Sequence, residues 1–191
     1  MRRKTKRNLI IGGFVILILA VGALGYIDYA QSRAIDAHLH GYRQLQFLAG
    51  TGDYGSTHEH ADFQVYVNGR QLDFDKPEFF GMHPLVHLHE GTNNVHVAHK
   101  HADGITYGMF FRTIGIELNG CLSVNDKEFC DLNGRTVKYY LNGKIVPNLK
   151  HVEINDLDKV LISYGSESLA EVQRQLASVG NRACIQSNVT C

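Results

Sequence analysis

The chain has 191 residues, of which 44% are hydrophobic, and it carries equal numbers of basic and acidic side chains, 19 of each. This size suits one globular domain with an attachment. Five of the basic residues stand before position 8, so the rest of the chain is mildly acidic and gives no support to nucleic-acid binding.

An apolar segment follows this basic flank, which spans residues 1–8. Residues 9–27 carry no charge over nineteen positions, about the length that a helix needs to cross a bilayer. The positive-inside bias keeps the basic flank cytoplasmic, so the sequence predicts a single-pass anchor in the cell membrane with everything after Asp28 on the extracytoplasmic side. A cleaved signal peptide is the alternative, because Ala20 and Gly22 satisfy the small-x-small cleavage rule.

Residues 28–57 predict a stalk helix and a linker. Small or apolar residues recur near the helical period up to Ala49, which indicates a helix that continues from the membrane. His38 and His40 fall on this helix but not on one face, so we interpret them as surface positions. The glycine-rich stretch "GTGDYGST", residues 50–57, predicts a break before the outer domain.

Residues 58–166 predict an extracytoplasmic α+β domain. Residues 60–74 alternate apolar and polar side chains and turn at Asn68-Gly69, and residues 85–99 repeat the pattern, so both predict antiparallel hairpins. In the second hairpin, Val86 and Leu88 are expected to face Val95 and Val97. The predicted fold is an N-terminal transmembrane helix and stalk, then a small antiparallel β-hairpin domain with one packed helix.

The predicted packed helix lies between Gly104 and Gly115. Its apolar residues follow an i, i+3, i+4, i+7 stripe, with Asp103 as the expected N-cap and Gly115 as the stop. Short strands with Asn-Gly or Asn-Asp turns follow it. Residues 167–191 predict a C-terminal helix at 169–179 and a disulfide-bonded tail.

Four cysteines, Cys121, Cys130, Cys184 and Cys191, lie on the predicted outer side, where disulfides persist. Three pairings are possible, and sequence proximity favours Cys121 with Cys130 and Cys184 with Cys191. A turn centred on residues 125–126 would place the first pair on facing strands.

Eight histidines fall within 44 residues, from His58 to His101. Side chains alternate across a strand, and five of these histidines share the phase opposite to the apolar residues of their strands. A solvated or pH-responsive polar face is one interpretation. The density favours the other, a metal site, because imidazole is a common ligand for zinc and copper.

We therefore predict a histidine-dominated site for Cu(II) or Zn(II), joined by Glu59, Asp62, Glu90 or Asp103. His58 and His60 lead into the first strand, and His99 and His101 are expected in a loop at the helix N-terminus. The predicted metal ligands are His58, His60, His87, His89, His96, His99 and His101.

Several motifs carry resemblances to known families. The Gly81–His89 spacing G-x5-H-x-H matches the start of the first cupin motif, but the glutamate that should follow is absent. "HLHEG" looks like the copper-ligand strand of copper/zinc superoxide dismutases, whose zinc loop has no counterpart here. The order of hairpin, helix and further strands looks like a ubiquitin-like β-grasp domain.

A wider resemblance rests on "HEHADFQVYVNG", "HKHADGITYGMFFRTIGI", "KYYLNGKIV" and "DLDKVLISYG". These stretches are similar to a family of uncharacterised, membrane-anchored archaeal and bacterial proteins, some labelled protein-disulfide isomerase. That label implies a redox dithiol, and this chain has no C-x-x-C.

Three hypotheses about function follow. The first is a membrane-tethered, extracytoplasmic metal-binding protein, which would act by binding rather than as an enzyme. The second is a thiol–disulfide oxidoreductase, which requires an accessible thiol of low pKa. The third is a metal-free module in which the sheet or the aromatic residues of "YGMFF" contact a membrane-associated protein, although their spacing predicts core packing.

Overall fold

The computed structural model describes residues 2–89, 96–125 and 127–190. The chain divides into two compact units, Met1–Ala49 and Gly50–Cys191. The first unit is one helix, and the second contains all the strands.

Helix α1, Arg2–Ala49, is 48 residues long and forms the first unit. Its segment Ile11–Ala37 has a mean hydropathy of 2.1 and is long and apolar enough to cross a membrane. A membrane anchor and a signal sequence both have these properties. The orientation across a membrane and the stalk remain predictions.

The second unit is α+β, and its described residues form two sheets and three α-helices, with a short 3-10 helix at Pro77–Phe79. The strands and helices are β1 (Glu59–Val67), β2 (Arg70–Gln71), β3 (Val86–His87), β4 (Val97–Lys100), α2 (Tyr107–Thr113), β5 (Ile116–Leu118), β6 (Leu122–Val124), β7 (Lys127–Phe129), β8 (Thr136–Leu141), β9 (Lys144–Val146), β10 (Lys159–Gly165), α3 (Leu169–Ser178) and α4 (Arg182–Gln186).

The main sheet is mixed, which corrects the prediction of an antiparallel domain. Its order is β3-β4-β1-β10-β8-β9, and β2 pairs with β1. The central pair, β1 and β10, is parallel, running from Asp62 opposite Lys159 to Val67 opposite Tyr164. Parallel neighbours need a long connection, so no turn signal in the sequence announces them. A second sheet, β5-β6-β7, is antiparallel.

The first predicted hairpin is confirmed. β1 and β2 pair through a turn at Asn68 and Gly69, whose φ angles are 51° and 75°, as a hairpin turn of this kind requires. The second hairpin is also antiparallel, but β3 pairs Val86 with Lys100 and His87 with His99, not Val86 with Val97. Glu90 and the rest of this turn, residues 90–95, lie outside the described residues.

Helix α2 contributes aromatic side chains to the core on one face of the sheet. Phe63 of β1 contacts Phe110 and Phe111 with ring centroids 5.2 and 5.5 Å apart, and both phenylalanines are fully buried. The helix begins at Thr106, whose hydroxyl accepts the Met109 N–H, and not at the predicted Asp103 cap. Because its aromatic residues are core residues, they are not a docking surface.

Two helices pack on the opposite face. Helix α3 forms as predicted, and its Val172 packs with Leu161 of β10. Helix α4 was not predicted from the sequence. The Asp62 carboxylate of β1 accepts the backbone N–H groups of Arg182 and Ala183 at 3.0 and 3.1 Å, which holds the start of α4 against the sheet.

Cys121 and Cys130 form a disulfide across the β6-β7 hairpin, the pairing that sequence proximity favoured. The strand register explains it, because Leu122 lies opposite Phe129 and the cysteines are the next residues outward. No cysteine is free among the described residues. Cys191 lies outside them, so the pairing of Cys184 with Cys191 stays a prediction.

Candidate metal centre

Three adjacent strands place a row of imidazoles on one face of the sheet. His99 of β4 lies opposite His60 of β1 on one side and opposite His87 of β3 on the other. Residues that face each other on neighbouring strands project to the same side. His58 and His89 extend the row, since each stands two residues from a partner on its own strand or strand end.

The cluster consists of two triads. The first is His58, His60 and His99, and the second is His87, His89 and His101; in each triad one nitrogen from every ring lies within 4.8 Å of the others. The triads adjoin, since the ring centroids of His89 and His99 are 4.1 Å apart and those of His58 and His101 are 4.8 Å apart. Six imidazoles therefore form one continuous surface.

The second triad already has two nitrogens at ligand spacing. The Nε2 atoms of His87 and His89 are 3.1 Å apart. Two nitrogens that bind one ion tetrahedrally at about 2.05 Å lie about 3.3 Å apart. His87 Nδ1 is 3.0 Å from the His83 carbonyl oxygen, which can only accept, so Nδ1 carries the proton and Nε2 keeps its lone pair.

His99 is one of the two buried rings of the cluster, with His60. It is 8% exposed, and neither of its ring nitrogens makes a well-formed hydrogen bond to a described residue, although the Gln186 side chain lies near enough to raise its pKa. Buried polar atoms in folded proteins normally have a partner. The rings of His99 and His60 lie edge to face at a centroid distance of 4.3 Å, so the neighbours of His99 include other imidazoles as well as Gln186.

Burial and neighbouring imidazoles favour the neutral form of four rings in this cluster. Burial, followed by the neighbouring His58, lowers the pKa of His60 to about 4. Burial, followed by His60, lowers the pKa of His99 to about 2. The pKa values of His89 and His101 are also lowered, by burial first and by nearby histidines second. Neutral imidazole is the form that binds metal ions.

Residues distant in sequence hold His60. Its Nδ1 lies 2.7 Å from the Ser187 hydroxyl oxygen, directly after α4, and that hydroxyl lies 2.7 Å from Asp156 Oδ1. The His60 backbone N–H also donates to Asp156 Oδ1 at 2.9 Å. The sequence does not predict that Ser187 and Asp156 belong to the site, because no local pattern connects either of them with His60.

Among the predicted ligands, His96 is the one that the structure places apart from the others. It lies outside both triads, and its ring packs against Phe63 and Phe74 with centroids 5.5 and 5.7 Å away. The predicted phase of this strand was therefore wrong. Ala98 and Lys100 point toward the core, and His99 points toward the histidine cluster within β4, not within a loop.

The burial of Lys100 accounts for the difference between the predicted and the observed phase of β4. A lysine on the core side is unexpected, and this one is 1% exposed. Its ammonium group donates to Glu59 Oε2 at 2.7 Å, Glu153 Oε1 at 2.8 Å and the Ile154 carbonyl at 2.7 Å. These partners satisfy the buried charge and leave His99 on the opposite face.

Three of the four predicted carboxylate ligands, Glu59, Asp62 and Asp103, lie outside the two triads, and the fourth, Glu90, lies outside the described residues. Glu59 pairs with Lys100, and Asp62 caps α4. Asp103 is exposed and belongs to neither triad. The donors of the described cluster are imidazole nitrogens, so the centre is rich in nitrogen ligands; the carboxylate of Asp156 lies 4.0 Å from His60 Nδ1.

Comparisons with known proteins returned no match: no family model fits the chain, and neither curated proteins nor solved structures include a similar one. The conclusions about function therefore rest on the chain's own residues. The structure is α+β, with an apolar N-terminal helix and two histidine triads that could hold a metal ion.

Proposed function

We propose that this protein is a membrane-tethered, extracytoplasmic metal-binding protein that handles copper or zinc through its histidine cluster. The observation that carries the proposal is the pair of triads, His58/His60/His99 and His87/His89/His101, each with three ring nitrogens within 4.8 Å. Imidazole nitrogens at this spacing can bind one cation together, and those of His60 and His99 have little contact with solvent.

The donor set favours particular ions. Imidazole nitrogen suits zinc, copper and nickel better than the hard cations magnesium and calcium, which prefer oxygen. Among the described residues, no carboxylate belongs to either triad. The Irving–Williams order favours Cu(II) where copper and zinc are both present, so Cu(II) is the preferred ion of the two.

A pH sensor is the competing function for a histidine cluster. Such a sensor needs imidazoles that change charge between about pH 5 and 8. Burial lowers the pKa of His60 to about 4 and that of His99 to about 2, below this window. The two most buried members of the cluster therefore support metal binding over pH sensing.

A thiol–disulfide oxidoreductase finds no supporting observation in the described residues. Cys121 and Cys130 pair across one short hairpin, with nine positions of sequence separation. Redox dithiols of the C-x-x-C type are close in sequence and lie in electropositive surroundings. This disulfide has the arrangement of a structural cross-link.

The location is proposed from α1. Its segment Ile11–Ala37 supplies the span, and the basic residues before it favour a cytoplasmic N terminus. The histidine cluster would then be outside the cytoplasm, where a metal ion reaches it without crossing the membrane. A cysteine-accessibility experiment on a single reporter cysteine at Ser166, which is exposed, tests this orientation.

The metal proposal is tested on the full chain purified in detergent and stripped with chelator. Equilibrium dialysis against Cu(II) and Zn(II) near neutral pH should leave bound metal, and His87→Ala with His89→Ala should remove at least half of it. His151→Ala is the matched control, because His151 is exposed and outside the cluster. Absence of bound metal, or equal loss in the control, would overturn the proposal.

A further inference from the structure

We propose that the two triads are separate sites for two ions of unequal affinity, and that Ser187 and Asp156 make the buried triad the tighter one by positioning His60. This inference rests on the proposed function, and it adds the number of ions, their ranking and the residues that set the ranking.

The number of ligands argues for two ions. A zinc or copper ion in a protein takes about four ligands, and an exchangeable site uses about three from the protein and one water. Six imidazoles exceed what one ion can use and match two sites with three each. The geometry also gives two groups of three, because the three nitrogens of each triad all lie within 4.8 Å of one another.

The two triads differ in burial. In the first, His60 is 3% exposed and His99 is 8% exposed, and only His58 is at the surface. In the second, His89 is exposed and His87 and His101 are half-buried. A ligand ring that is already fixed by packing loses less conformational freedom when it binds an ion. The first triad should therefore lose less conformational freedom on binding an ion than the second.

A chain of hydrogen bonds decides which nitrogen of His60 is the ligand. The Asp156 carboxylate is an acceptor, so the Ser187 hydroxyl, 2.7 Å away, donates its proton to it. The Ser187 oxygen then accepts the proton of His60 Nδ1 at 2.7 Å. His60 Nε2 keeps its lone pair for an ion, which is the orientation that carboxylate-linked histidine ligands have in metal sites.

Ser187 is itself held in place. Its backbone N–H donates to the Ala183 carbonyl at 2.9 Å, and α4 is anchored to β1 through Asp62. The relay from Asp156 to His60 is therefore part of the folded domain before any ion arrives. In the second triad, the only comparable support in the described residues is the backbone carbonyl of His83, which accepts from His87.

The experiment is a competitive Zn(II) titration of the full chain in detergent, with metal content measured independently. The wild-type chain should bind two ions. Ser187→Ala should weaken the tighter site about 10–100-fold, the usual cost of losing such a supporting group, and leave the weaker site unchanged. His60→Ala should remove the tighter site, and His89→Ala should remove the weaker one.

Matched variants separate positioning from folding. Ser187→Thr keeps a hydroxyl and should restore most of the affinity, and Ser166→Ala removes an exposed serine elsewhere and should change nothing. Circular dichroism confirms that each variant is folded. A single bound ion, or two ions with Ser187→Ala weakening neither or both alike, overturns this inference and leaves the proposed function standing. No bound ion overturns both.

Discussion

His60 and His99 lie directly opposite each other on neighbouring antiparallel strands, with ring centroids 4.3 Å apart and both side chains buried. Two facing imidazoles in a buried position are costly if either becomes protonated, because the charge is desolvated and repels the neighbouring ring. The pair is stable as two neutral rings, and this condition leads to the first prediction.

The metal-free protein should lose stability as the pH falls below about 6.5. The pKa values of His60, about 4, and His99, about 2, lie below the unfolded value of 6.5, so the unfolded chain takes up protons that the folded chain refuses. The contribution of these two histidines to the free energy of unfolding is complete above pH 6.5. It is lost toward pH 4 for His60 and toward pH 2 for His99. Each group should cost about 1.4 kcal/mol per pH unit in that interval.

Urea unfolding of the chelator-stripped chain at pH 7.5, 6.5, 5.5 and 4.5, followed by tyrosine circular dichroism, measures this dependence. His99→Gln cannot titrate, so its stability should fall less steeply over the same range. Equal slopes in the wild type and in His99→Gln would contradict the assignment of the loss to the buried pair.

Lys100 should be a strong determinant of stability. Its ammonium group is fully buried and bonds two carboxylates, so Lys100→Met leaves Glu59 and Glu153 without their partner. Loss of one member of a buried ion pair costs about 3–5 kcal/mol, and the partial exposure of both glutamates places the expected cost near about 3 kcal/mol. Lys127→Ala, at an exposed position, should change stability by less than about 0.5 kcal/mol.

Denaturant midpoints of the two lysine variants, measured with metal removed, check this prediction. A Lys100→Met protein as stable as Lys127→Ala would mean that the buried ion pairs contribute nothing to the fold.

The disulfide should stabilise the fold without serving the metal site. Cys121 and Cys130 close a loop with a sequence separation of 9, and cross-linking a loop of this size is worth about 2–3 kcal/mol in the chain-entropy account. Cys121→Ala with Cys130→Ala should lower the free energy of unfolding by that amount and leave metal stoichiometry unchanged. Loss of bound metal in a folded double variant would connect the thiols to function and revive the oxidoreductase hypothesis.

The sequence predicts the features that depend on interactions between residues close together in the chain. The alternation of β1, the Asn68-Gly69 turn and the helix beginning at Leu169 follow from side-chain periodicity and turn chemistry, and all three are present. The facing positions of Cys121 and Cys130 follow from the length of one hairpin. The clustering of His58, His60, His87 and His89 also follows, because alternation places them on the side of their strands away from the core. His99 and His101 were expected in a loop, so alternation did not place them in the cluster.

The remaining features depend on contacts between distant segments. The phase of β4 follows from the burial of Lys100 against Glu59 and Glu153, and a lysine in a short apolar strand gives no sign of such partners. The parallel pairing of β1 with β10 could not be predicted, because no short turn connects the two strands. The contact of Ser187 with His60 spans 127 positions and depends on α4, whose few residues carry no helical pattern long enough to detect.

The most direct test of the central claim is the X-ray absorption spectrum of the metal bound to the full chain in detergent. With Cu(II) or Zn(II) loaded and excess ion removed, we expect a first shell of nitrogen at about 2.0–2.1 Å with the outer scattering typical of imidazole rings and no sulfur. The same signal should persist in His151→Ala and weaken in His87→Ala with His89→Ala. A spectrum without imidazole scattering, or a protein that retains no metal, would contradict the account.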